Sequence, residues 1–164
     1  MGVGNDGYMK YGFNVSTGLM DNGWAISASG NTSYGDGWAK ATNFRSYSYF
    51  INISKKFNEA HTLSFTAFGA PQWHNQRYQM LTQEQWANHP DGIKANLEYG
   101  WRDGKILSPR YNFYHKPQLS LNHFWNIDGR SSLSTAIYAS IAQGGGRRLD
   151  GKQGKDADGK KVYY

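Results

Sequence analysis

Imidazoles are the side chains of this sequence best suited to both metal ligation and proton transfer, and there are five: His61, His74, His89, His115 and His123. They are dispersed, and none forms a His-x-x-x-His pair that would set two rings on one helical face. They read as loop and sheet-lining residues, with His123 a border ring beside Trp125. The carboxylates are equally isolated, with no pair at a spacing defined for acid–base work. Asp150, Asp156 and Asp158 stand in a Gly- and Lys-rich tail, but the alternating oxygen ligands and terminal Glu of a calcium loop are missing. Gly144-Gly145-Gly146-Arg147-Arg148 lacks the Gly-Lys-Ser/Thr ending of a phosphate loop, so it reads as an exposed loop. With no cysteine there is no disulfide, thiolate or cysteine–metal chemistry. No catalytic residue, cofactor or metal site is expected, and the chain is read as not an enzyme.

Aromatic residues are the richer signal. The 164 residues include 12 Tyr, 8 Phe and 6 Trp beside 20 Gly, in a chain only 38% hydrophobic. Disordered chains are aromatic-poor, so the combination points to strands with one apolar and one polar face. Tyr11, Phe13, Trp24, Tyr47, Tyr49, Phe65, Tyr111 and Trp125 fall on strand faces or near strand ends, as lipid-facing or interfacial anchors or as packing in a soluble core. Trp38, Phe44, Trp73, Trp86, Tyr99 and Trp101 fall in long connections. Trp38, Trp73, His74, Trp86 and Trp101 are therefore the candidate ligand contacts, able to stack on a sugar or cap a large ligand, with packing among the loops as the alternative.

The elements that must carry these residues show period two. Tyr11, Phe13, Val15, Thr17 and Leu19 alternate with Gly12, Asn14, Ser16 and Gly18. After the Asp21-Asn22-Gly23 turn signal the pattern resumes through Trp24, Ile26 and Ala28. It returns at Tyr47–Ile53, at Leu63–Ala67, at Tyr111–Trp125 and at Leu133–Ile141, giving six strands. Pro117 weakens the fifth, because proline cannot donate to a ladder. Short links near 20–23, 57–61 and 127–131 alternate with long ones at 34–44, 70–108 and from 143 onward. That rhythm fits an outer-membrane barrel, and a soluble β-sandwich could also show it. The second face carries Ser, Asn, Thr, Gly and Ala rather than Lys and Glu, which favours a hydrated lumen.

Net charge is +6, half of it within 143–164. The basic residues are scattered or lie in a tail with balancing aspartates, so nucleic acid is not an expected partner. The longest apolar run is four residues, Ala136–Ala139, far short of a membrane helix. The start, Met1-Gly2-Val3-Gly4, lacks a signal peptide's regions. An exported protein would be missing its beginning.

Ser64-Phe65-Thr66-Ala67-Phe68-Gly69-Ala70-Pro71-Gln72-Trp73-His74-Asn75-Gln76-Arg77 resembles a segment of TonB-dependent outer-membrane receptors of the Bacteroidetes type. So do Gly35-Asp36-Gly37, Tyr49–Lys56, Tyr111–His123, Ser131–Thr135 and Tyr138–Ser140. The resemblance spans most of residues 3–146, in order. It implies an all-β fold: an antiparallel meander of about six strands, part of a 22-stranded transmembrane β-barrel, following a plug. Residues 1–142 would be partial barrel with long loops at 34–44 and 70–108. Residues 143–164 would be a truncated Gly/Lys/Asp-rich extracellular loop. The implied function is a fragment of a receptor for energised nutrient uptake in the outer membrane of a Gram-negative bacterium, not transport-competent alone. The implied partners are outer-membrane lipid, the rest of the barrel and plug, the TonB energy-coupling complex through missing segments, and a surface lipoprotein. Iron chelates, haem, glycans, peptides and cobalamin are all open as substrates. The other reading is a small soluble all-β ligand-binding or adhesin-like domain.

Overall fold

A computed structural model describes all residues, Met1–Tyr164. Fourteen strands follow in chain order: β1 Gly2–Val3, β2 Met9–Leu19, β3 Trp24–Gly35, β4 Phe44–Lys56, β5 His61–Gly69, β6 Gln72–Asn75, β7 Gly100–Arg102, β8 Lys105–Leu107, β9 Tyr111–His115, β10 Gln118–Asn126, β11 Ser132–Ser140, β12 Gln143–Gly146, β13 Gln153–Lys155 and β14 Lys161–Tyr163. One short helix, α1 Gln83–Asn88, and a 3-10 turn at Gly92–Lys94 lie between β6 and β7.

The six alternating segments fold as strands. With the short β1 added at one edge, the order in space is β1-β2-β3-β4-β5-β10-β11, every neighbour antiparallel. Three of them bend and continue. β5 continues as β6 across Ala70-Pro71, β9 runs into β10 across Lys116-Pro117, and β11 into β12 across Ile141-Ala142. The prolines interrupt the ladder because they bring no N–H, and the chain resumes pairing beyond them. β6 pairs with the start of β4 and with β9, and β9 with β12. The fifth strand predicted from alternation is thus two, split at Pro117.

Register keeps the faces separate along the sheet, because a one-residue slip would exchange them; the one slip, between Ser16 and Leu19 at the end of β2, sets Leu19 opposite Ala25. Val15 lies opposite Ala28, Ala28 opposite Ile51, Ile51 opposite Ala67, Ala67 opposite Leu119, and Leu119 opposite Ala139. The other face is a hydroxyl and amide ladder. Ser33 and Ser46 hydroxyls lie 2.8 Å apart, and the Asn52 amide donates to Ser64 Oγ and Thr66 Oγ1, each at 2.8 Å. Such cross-strand pairs contribute roughly 0.2–1 kcal/mol each.

The second sheet, ordered β13-β14-β7-β8, is built from two of the long connections. Residues 143–164, read as a loop, therefore contribute β12, β13 and β14. The 70–108 connection also contributes β6–β8 and α1, whose capping box joins Thr82 and Gln85.

The 22-stranded transmembrane barrel does not form. The main sheet is open: β1 and β11 end the path and do not pair with one another. An open edge leaves N–H and C=O groups that lipid cannot satisfy. The receptor fold, the outer-membrane location, the transporter-fragment function, and the lipid, plug, TonB-complex and surface-lipoprotein partners all depended on closure, and all fall with it. Alternation reports only local two-sidedness, whereas closure is decided between chain ends. No helix is long and apolar enough to cross a membrane, a statement that concerns helices alone.

Candidate functional site

Where β4, β6 and β9 meet, aromatic rings from three strands converge. Trp73 lies opposite Phe113 and Arg45 in register, so it shares a face with Tyr47, two residues beyond Arg45. The Trp73 and Tyr111 ring centroids are 5.9 Å apart, and Tyr111 and Phe113 6.0 Å, both pairs tilted. Arg147, just beyond β12, places its guanidinium 4.7 Å from the Tyr111 ring centroid, a cation–π distance. These rings line a cleft of about 220 Å³ with Gln72, His115 and Gln143. The Tyr47 N–H donates to the Pro71 carbonyl at 2.8 Å, fixing the bend beneath Trp73.

The floor depends on a missing side chain. A Cβ on Gly69 would lie 2.5 Å from the Tyr49 hydroxyl and 2.9 Å from His115 Nε2. Those two atoms are themselves 2.9 Å apart and hydrogen-bonded. Gly69 thus leaves room for a Tyr49–His115 bridge joining β4 to β9. The cleft offers flat apolar faces with amide and hydroxyl groups at their margins and no acid–base pair, an arrangement suited to binding.

The other expected contacts are dispersed. The Arg77 guanidinium lies over both Trp38 and Trp86, 5.7 and 4.8 Å from the ring centroids. Arg77 also donates to the Ile93 and Ala95 carbonyls, so both tryptophans are tied to the loop structure around it, Trp38 with half of its surface still exposed. Trp101 stands in the second sheet beside Lys160. His74 bonds Gln76 and, paired with Phe44, points to the face opposite Trp73. Among residues expected as interfacial anchors, Tyr47 lines the cleft with Tyr111, and Tyr49 braces it. Tyr11 and Phe13 lie on β2, Phe13 against Gly30; Trp24 stacks under Lys55; Phe65 pairs with Ile53 and Leu121; Trp125 lies beside His61. Sequence reasoning missed Phe113 and Gln143 as cleft residues because they reach it through pairings distant along the chain. A larger open cavity of about 630 Å³ near Trp38 holds Asp6, Asp36, Lys40 and Lys94. Its charges are partly neutralised by Lys94–Asp6 at 3.2 Å and Lys40–Asp91 at 3.4 Å.

Beneath the loops, Glu98 is the most tightly held carboxylate. Burial pushes its carboxyl up, but the Tyr78 N–H, the Arg110 guanidinium and the Gln79 N–H together outweigh this and hold it below the ordinary value. Arg110 Nε donates to it at 2.7 Å. The Tyr163 phenol is pushed up by burial and then by the Glu98 charge. This cluster ties β14 to the loops, and Glu98, Arg110 and Tyr163 line an open cavity of about 520 Å³ with Arg147 and Arg148.

No family model, curated protein or solved structure matches the chain, so the likeness to TonB-dependent receptors finds no support there.

Proposed function

We propose that this chain is a small all-β ligand-binding domain whose cleft between β4, β6 and β9 takes a flat, hydroxyl-bearing ring, a saccharide being the class that fits. The convergence of Trp73, Tyr47, Tyr111 and Phe113 beside Gln72 and Gln143 carries the reading. Rigid aromatic faces supply contact area at low entropic cost, and the amides orient hydroxyls. The role is non-enzymatic and needs no cofactor.

The test is a panel of oligosaccharides titrated against the full chain, followed by tryptophan fluorescence and by amide NMR shifts in β6 and β9. Trp73→Ala is expected to weaken the responding sugar by at least ~10-fold, as for a central aromatic anchor. Trp101→Ala, in the other sheet, leaves it unchanged. Absence of any responding sugar, or equal losses in both variants, overturns the proposal. An adhesin-like role is the second reading, favoured by the large apolar sheet face left exposed, since such patches mark interaction surfaces.

A further inference from the structure

We propose that His61 and His123 form a two-histidine site for a late first-row divalent cation, with copper(II) held most tightly. The residues are 62 positions apart. Antiparallel pairing sets His61 opposite Trp125 and His123 opposite Leu63, on one face and diagonal to each other. His61 Nδ1 and His123 Nε2 are 3.1 Å apart. A metal–imidazole bond is about 2.0–2.1 Å, so two of them at an angle between square and tetrahedral span roughly 2.9–3.3 Å. The observed separation falls inside that bite.

The strands that hold the rings are themselves held. β5 is paired on its other side by β4, and β10 by β11, so both ligands stand on interior strands rather than loops. Apart from this mutual contact, neither ring has a hydrogen-bond partner in the protein. Each outward nitrogen is therefore free to carry the ring's proton while the inward ones coordinate. In the neutral pair the proton now between the rings moves to the outward nitrogen of its own ring through water. Binding then releases none.

The remaining histidines are otherwise engaged: His74 with Gln76, His115 with Tyr49, and His89 Nδ1 as acceptor of the Asp91 N–H. No third histidine or acid completes the His61–His123 pair. Water fills the other positions, which makes the ion exchangeable and not structural. Imidazole donors select copper, nickel and zinc over the oxygen-seeking magnesium and calcium. The Trp125 ring centroid, 5.5 Å from that of His61, makes a built-in reporter.

The experiment is a titration of the full chain with copper(II), nickel(II) or magnesium, read by calorimetry and tryptophan quenching. Saturation at one copper per chain is expected, with nickel weaker and magnesium silent. His61→Ala and His123→Ala each weaken copper by at least ~10-fold, and His74→Ala leaves it unchanged. Trp125→Phe keeps the calorimetric binding and loses most of the quench. Electron paramagnetic resonance of the unmodified chain decides the matter even if a variant fails to fold: coupling to two imidazole nitrogens supports the site. A single nitrogen, unchanged affinity in folded His61 and His123 variants, or equal response to magnesium overturns it.

Discussion

At the scale of single residues, the side chains that matter are those fixed by several partners at once. Glu98, only 15% exposed, takes Arg110 Nε and two backbone N–H groups. Its carboxyl titrates below its ordinary value, so its contribution to stability is present above the ordinary carboxylate range. That contribution is lost as pH falls through the lowered folded value. Glu98→Gln is expected to destabilise the chain by roughly 1–3 kcal/mol at neutral pH, the cost of weakening charge-assisted bonds to a buried group. The deficit should shrink in acid, where the native carboxyl is protonated as well. Urea midpoints at pH 7 and pH 3 measure it, and an equal deficit at both would separate the effect from charge. Trp73 belongs to the same scale, because its ring is held by a tilted contact with Tyr111 and by the bend at Pro71.

At the scale of elements, turns and bends decide what the strands can present. Gly23 closes the hairpin between β2 and β3 with a φ of +79°, and a Cβ there would lie 2.3 Å from the Lys56 carbonyl oxygen. That carbonyl is backbone of the next strand and cannot swing aside. Gly23→Ala is expected to cost roughly 1–3 kcal/mol, measured as a lowered midpoint of thermal unfolding. Gly18, also at positive φ with open space around it, should cost less on the same substitution. The turn signal at Asp21-Asn22-Gly23 was legible in sequence because its chemistry is local. The bend at Pro71 was not: proline marks an interruption, but nothing nearby says that β6 resumes pairing with β4 and turns Trp73 toward Tyr111.

For the whole molecule, the governing fact is exposure. A compact monomer of this mass presents about 8,200 Å² of surface, whereas this chain presents 11615 Å², with nine of its residues buried. Much of the excess is one face: Phe13 is 63% exposed, Val15 57% and Ile137 69%. The strands themselves are well bonded, so the polar face and ladders carry order while the apolar face lacks a cover. An apolar dye is expected to bind the native chain. Ile137→Lys on the outer strand β11 should reduce that binding and any self-association in light scattering, with strand circular dichroism unchanged. Dye binding unaltered by Ile137→Lys would place the adhesive surface elsewhere and remove the support for an adhesin-like role.

The sequence by itself determined two-sided strands, their approximate positions, the short hairpins and the absence of cysteine chemistry. Each rests on spacing of two or on turn residues acting within a few positions. Only the tertiary structure decided that the sheet stays open, that residues 143–164 join β9 and a second sheet, and that Trp73 meets Tyr47 and Tyr111. It also brought His61 to His123. These outcomes depend on which distant strands pair and in what register. Alternation is the same for an open sheet and a closed wall, so periodicity alone carries no record of closure.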